Sequence, residues 1–282
     1  MRFLRGELRI TLLDAGSLRL DGGAMFGVVP RPLWERERAP DDRNRIRLGM
    51  NLLLIEDGRR RILVDTGAGT KWDDRHRDIY GLEPKTAEEM LAPAGVSPGQ
   101  IDLVVNTHLH FDHAGGNTER NARGEIVAAF PNARYVVQRG EVETARSAND
   151  RTRASYLPEN FEPLLAEGRF ELVDGHVPIG AGIELWPAPG HTPHMQLPVL
   201  VSPEGTVAFL ADLVPTASHV PYPYVMGYDL EPLLTLATKR RILPEAAREG
   251  WLLVFEHDDE MPWATLVEKD GRLRAQAVDP GA

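Results

Sequence analysis

The stretch NTHLHFDHAGG, residues 106–116, places His108, His110, Asp112 and His113 within six consecutive positions. Imidazole and carboxylate at this density point to metal ligation. In an extended segment side chains two apart share a face, so His108 and His110 can converge on one ion. Asp112 and His113 follow after the chain turns and can face a second ion beside it. Such donors suit zinc, and also manganese, iron or cobalt. One segment supplies at most two ligands per ion, so a stable site needs others. PAPGHTPH offers His191, VAFLADLVPT offers Asp212 and WLLVFEHDD offers His257, each at the end of an apolar strand pattern, where open sheets and barrels place their sites. Asp212, with two carboxylate oxygens, is able to bridge two ions. The chain has no cysteine, which removes disulfides, thiolate ligands and cysteine nucleophiles together.

The elements that must position these residues are short and mixed. ELRITLLD (7–14), IRLGMNLLLIED (46–57) and RRILVDTG (60–67) are strand-like, the last two joined by a DG turn signal. Between the first two, DGGAMFGVVPRPLWERERAP is too rich in Gly and Pro for a regular element and is expected to be a long loop. TAEEMLAPAG (86–95) predicts a helix capped by Thr86 and Glu89. IDLVVNTH (101–108) predicts a buried strand that delivers the histidine cluster. Later come a strand at 133–138, a helix at 141–148, a helical stretch at 155–168 broken by Pro158 and Pro163, and further strands ending near His191, Asp212 and His257. The longest helical pattern, 231–250, is expected to kink or divide at Pro244. This order predicts two sheet layers covered by helices on both outer faces.

Composition sets the remaining bounds. A chain of 282 residues with no low-complexity linker or fixed-period repeat is expected to form one domain, residues 1–282. No apolar run suggests a membrane span. The charged N-terminal stretch lacks the apolar core of a signal peptide, so a cytoplasmic protein is expected. A net charge of −10 argues against nucleic acid as a partner.

THLHFDHAGG, PGHTP, LADL and FEHD, in this order, closely resemble the metallo-β-lactamase-fold hydrolases, and the resemblance runs from LLIEDGRRRILVDTG to WLLVFEHD. It implies an α+β, four-layer αββα sandwich. It also implies that His108, His110 and His191 bind one metal, that Asp112, His113 and His257 bind the other, and that Asp212 bridges. Asp65 in LVDTG matches a family motif and is expected either to hold a ligand imidazole or loop, or to cap the following turn. Gly115 and Gly116 are expected to permit close backbone approach beneath the site.

Two such ions, zinc by first expectation, would share a hydroxide, and the expected reaction is its attack on a carboxylic ester or lactone carbonyl of a small molecule, with Asp112 as proton acceptor. Within the family, HFDHAGGN and HTP are most similar to the branch of lactonases and organophosphate hydrolases. Those lactonases carry a tyrosine soon after the bridging aspartate, where this chain has Pro215. Phe26, His219, Tyr222 and Tyr224 are candidate substrate contacts. Met25, Phe26 and Trp34 suggest an apolar lid, although Trp34 reads better as core. His194 departs from the family's usual HTPGH and is expected at the surface or behind the ligands; His76 and His176 are expected at the surface. The stretch RASYLPENFEPLL resembles a dimer-forming region, so a homodimer is an expectation. The competing readings are a glyoxalase-type thioesterase or a phosphotriester or phosphodiester hydrolase on the same residues. Further off stand a non-enzymatic metal-binding protein and a di-iron redox protein.

Overall fold

The computed structural model describes residues 2–5 and 8–280. The first part of the chain builds one sheet. Its strands are β1 (Arg2–Arg5), β2 (Leu8–Asp21), β3 (Arg45–Glu56), β4 (Arg61–Val64), β5 (Glu83–Pro84) and β6 (Leu103–Val105). After a separate two-stranded ribbon, β7 (Thr118–Arg120) and β8 (Ile126–Ala128), come β9 (Arg134–Gln138) and β10 (Phe170–Val173). They pair in the order β1-β2-β3-β4-β6-β9-β10, with β5 added beside β2. The rest of the chain builds a second sheet, in sequence order from β11 to β17: Val177–Gly180, Ile183–Pro187, Gln196–Ser202, Gly205–Phe209, Leu252–Val254, Trp263–Lys269 and Arg272–Ala277. Both sheets are mixed: β4, β6, β9 and β10 run parallel, as do β14 and β15, while the other pairings are antiparallel.

The sheets face each other. Leu53, Ile55, Ile62, Val64 and Val105 of the first pack in one core with Leu185, Leu197, Val199 and Phe209 of the second. On the first sheet's other face, Leu52, Leu54, Leu63, Val104 and Val137 pack against helices and loops, including α4 (Ala87–Leu91) and α6 (Arg139–Arg146). Strand β3 therefore reads as a continuous apolar run, since both of its faces are covered. The long helix α8 (Pro232–Glu249) lies on the second sheet through Ile242, Leu243 and Ala246. The result is the expected α+β sandwich of two sheets flanked by helices.

Three local expectations need correction or refinement. The Gly- and Pro-rich stretch after β2 is not all loop. Asp21 accepts a hydrogen bond from the Ala24 amide and opens α1 (Gly22–Phe26), and Pro30 precedes α2 (Arg31–Trp34). Neither could be seen from apolar periodicity, because each is barely one turn long. The segment at 155–168 yields only a 3₁₀ turn, Pro158–Asn160, and the short α7 (Glu162–Ala166). Helix α8 is not divided at Pro244; it runs for 18 residues with that proline inside. Pro244 and Arg240, whose carbonyl loses its usual donor, both lie on the exposed face, where water can satisfy that carbonyl. The capping box at Thr86 and Glu89 forms as expected.

Candidate metal centre

The site assembles at the ends of strands from both sheets. Strand β6 runs out at Val105, residues 106–110 cross the sheet edge, and His110 opens the one-turn helix α5 (Phe111–Ala114), which carries Asp112 and His113. His191 sits in the turn between β12 and β13, Asp212 follows β14, and His257 follows β15. Two residues beside these ends hold a left-handed backbone that non-glycine residues rarely adopt: Asp65 after β4 (φ 55°) and Ala211 before Asp212 (φ 42°). Such strain persists where the surroundings dictate it, and it tends to gather at functional sites.

The seven side chains fall into two buried groups. His108, His110, His191 and Asp212 form one, and Asp112, His113 and His257 the other, with ligand atoms in each within 4.8 Å of one another. Asp212 stands between them. Its Oδ2 lies 3.0 Å from His191 Nε2, and its Oδ1 lies 3.1 Å from His257 Nε2. The carboxylate thus presents one oxygen to each group.

Hydrogen bonding fixes which imidazole nitrogen faces the centre. His257 Nδ1 donates to the Gly49 carbonyl at 2.8 Å. His113 Nδ1 lies 3.1 Å from Asp65 Oδ2 and 2.9 Å from Glu256 Oε2. The remaining nitrogens, His113 Nε2 and His257 Nε2, then meet at 3.2 Å. With both Nδ1 atoms donating, these two nitrogens cannot both present bare lone pairs to each other, so a proton or a metal cation must sit between or beside them. His108 Nε2, His110 Nε2 and Asp212 Oδ1 are also buried without a hydrogen-bond partner, which a native interior rarely tolerates. The donor set fits a divalent cation of the zinc type.

The electrostatics agree. Burial, reinforced by the neighbouring imidazoles, holds His108 and His110 well below the usual histidine range, so both are neutral donors. Burial works against charge on His191 and His257 as well, but the Asp212 carboxylate outweighs it and raises them to about 10 and about 9. Asp212 itself is held well below the carboxylate range: His191, His113 and His257 overcome the opposing effect of burial. Asp212 thus draws positive charge into the centre, whether as protons on these imidazoles or as a metal cation.

Supporting residues fill the layer behind. Asp65 accepts from the Thr107 amide (2.7 Å) and hydroxyl (2.6 Å), and so ties the His108 loop to His113. A Cβ on Gly115 or Gly116 would meet the Ala68 or Thr66 carbonyl oxygen at 2.2 Å, the close approach expected there.

The pattern of the metallo-beta-lactamase superfamily matches residues 47–257, which contain all seven of these side chains. The chain belongs to that superfamily. An N-acyl homoserine lactonase from a Bacillus species is 31% identical over 225 residues, 74% of this chain and 80% of the relative. The structure of a probable metal-dependent hydrolase from Staphylococcus aureus, 28% identical, superposes with a TM-score of 0.89 over 98% of this chain and 97% of that one. The dizinc quorum-quenching lactonase AidC shares the fold, with a TM-score of 0.83 at 20% identity over 99% of this chain and 97% of its own. Family, fold and relatives make the chain a metal-dependent hydrolase.

A cavity of about 360 Å³ opens over the metallo-beta-lactamase centre, reaching His110, Asp112, His191, Asp212 and His257. Its walls correct the expected substrate contacts. Phe26 is fully buried, stacked between Trp34 (5.5 Å) and His219 (4.7 Å). Tyr224 packs edge-on against Phe26 at 5.9 Å, and Tyr222 lies beneath the Arg240 guanidinium at 5.7 Å. None of Phe26, His219, Tyr222 and Tyr224 reaches the cavity. The GAMFG segment (23–27) does contribute, but through Ala24 and Met25 only, and Trp34 is core. In their place stand Tyr80, Arg151, Met226 and Tyr228. His194 is exposed, its ring over Gly140, and His76 and His176 lie at the surface. Residues 156, 161 and 164 of the stretch resembling a dimer-forming region are buried in the chain's own core. Among the described residues no helix is long and apolar enough to cross a membrane.

Proposed function

We propose that this hydrolase opens a lactone, or cleaves a carboxylic ester, of an uncharged small molecule at a centre of two divalent ions. The carrying observation is the pair of ligand groups, His108, His110 and His191 with Asp212, and Asp112, His113 and His257 with the same Asp212, five of whose seven side chains (all but His108 and His113) line one cavity. When bound, the ions would supply Lewis acidity to the substrate carbonyl and make a water acidic enough to lose its proton near neutral pH.

The chain's own residues do the rest. Asp112 lines the cavity beside His113 and His257, where one carboxylate oxygen takes the proton of the attacking water and returns it to the leaving alkoxide. Leu20, Met25, Leu48, Met226 and Leu230 form an apolar wall that excludes water and suits an acyl chain. Among the described residues Arg151 is the only Lys or Arg lining the cavity, and its Nη2 donates to the Gly227 (2.8 Å) and Asp229 (3.2 Å) carbonyls. A largely apolar wall with one guanidinium, itself tied to backbone carbonyls, suits a neutral lactone or ester better than a multiply charged phosphate or glutathione conjugate. The lactonase relatives point the same way. Zinc is the first expectation for the ions.

The test is a substrate screen on protein loaded with zinc, manganese or cobalt. Acylated γ-lactones and aryl esters should turn over, with one proton released per lactone opened, and chelation should abolish it. Turnover confined to thioesters or phosphotriesters would overturn the reading.

A further inference from the structure

Glu141, in the first turn of α6, is wholly buried yet belongs to neither ligand group. Its side chain receives three hydrogen bonds from three separate segments. Oε1 accepts from the Leu109 amide at 3.1 Å and from the Tyr156 hydroxyl at 2.9 Å, and Oε2 accepts from the Thr192 hydroxyl at 2.7 Å. Leu109 lies between His108 and His110, and Thr192 follows His191. Tyr156 turns its ring edge-on against His110, 4.6 Å between centroids. No Lys or Arg pairs with this carboxylate among the described residues. A buried charge supported only by neutral donors is costly, and a cation a short way beyond those donors offsets the cost.

We propose that Glu141 is a positioning residue for the metal group of His108, His110, His191 and Asp212. It fixes the histidine-rich loop and the His191 turn relative to each other, so that His110 and His191, whose rings stand 4.8 Å apart, face one point. It also adds negative charge behind that group alone. The second group, Asp112, His113 and His257, is braced separately by Asp65, Glu256 and the Gly49 carbonyl. Loss of Glu141 should therefore weaken one metal step and spare the other. The inference rests on the two-ion reading above.

The experiment is a stepwise zinc titration of metal-free protein against a chromophoric chelator, wild type beside Glu141→Gln, with thermal unfolding of both metal-free forms. The amide keeps the size but turns a donor toward a donor. One of the two affinities should fall about 10–100-fold, as for other residues that orient ligands, while the other stays within roughly three-fold. The metal-free unfolding temperature should hold, because the lost bonds are offset by removal of a buried charge. Unchanged affinities overturn the proposal. So does an equal fall in both accompanied by a lower metal-free unfolding temperature, which marks a role in general stability only. Should Glu141→Gln not fold, Tyr156→Phe and Thr192→Val each remove one donor and should weaken the same step. If neither does, the proposal fails. A wild type that takes up no metal defeats the two-ion reading and this inference together, whereas two normal steps in wild type and variant defeat this inference alone.

Discussion

Asp229 Oδ1 accepts a hydrogen bond from His191 Nδ1 at 2.9 Å, which turns His191 Nε2 toward His110 and Asp212. The carboxylate fixes the tautomer and raises the basicity of the ring. Asp229→Ala should weaken metal binding by about 10–100-fold, and Asp229→Asn, which keeps an acceptor, by less. Competition with a chelator measures both; equal affinity in all three proteins would mean that something else orients His191.

Asp112→Asn should lower kcat by roughly 10²–10⁴-fold with little change in KM, since an amide is no proton acceptor. Metal content must be determined on the same sample, because Asp112 also belongs to the second ligand group. His194→Ala is the control. Its ring is exposed over Gly140, so both metals and most of the activity should remain. Loss of metal from the His194 variant, beside a near-normal Asp112 variant, would reverse these roles.

The contrast between these residues and the cavity wall shows what a sequence makes visible. His108, His110, Asp112 and His113 are legible because their spacing alone is improbable, and His191, Asp212 and His257 because each ends an apolar strand. Tyr80, Arg151 and Tyr228 come from three distant segments with no spacing in common, and only the folded chain brings them to one cavity. Asp229 and Glu141 are single acidic residues whose partners lie 38 to 51 positions away, or on nearer loops without periodicity. The two sheet layers with helices outside are legible in outline from alternating strand and helix patterns, but the order of strands within each sheet is not. One-turn helices such as α1 and α5 were not, since a single turn carries no period to read.

Tyr228 projects into the cavity, and no hydrogen bond ties its hydroxyl to another described residue. A phenol there can donate to a substrate carbonyl or amide. Tyr228→Phe should reduce kcat/KM by about 3–10-fold, the worth of one ordinary hydrogen bond, with metal content and unfolding temperature unchanged. Identical kinetics on the best lactone would remove Tyr228 from substrate binding.

Lys239 gives a pH signature away from the metal ligands. Its buried ammonium donates to the His219, Pro221 and Tyr224 carbonyls at 2.6, 3.0 and 2.9 Å. Burial pushes its pKa down to about 7, against a smaller upward pull from Asp229. Because the unfolded lysine holds its proton up to about pH 10.4, the unfolded chain binds more protons between these values, and stability should rise with pH across that window. The stability of wild type minus that of Lys239→Met, from urea melts of metal-loaded protein, should rise by up to about 1.4 kcal/mol per pH unit above 7. A difference independent of pH would show that the three carbonyls keep the lysine charged.

The division of the chain between the two sheets gives the metal centre a place in time. Residues up to Val173 build the first sheet and carry His108, His110, Asp112 and His113; the residues after it build the second and carry His191, Asp212 and His257. A polypeptide whose first sheet has formed while the second has not holds only half of each donor set. Tight metal capture must then wait for the two sheets to dock. A zinc-sensitive dye present during refolding becomes a clock for that docking, read separately from the earlier gain of secondary structure. Metal supplied late should find the halves already joined, and metal supplied early should speed their joining only if docking is the slow step.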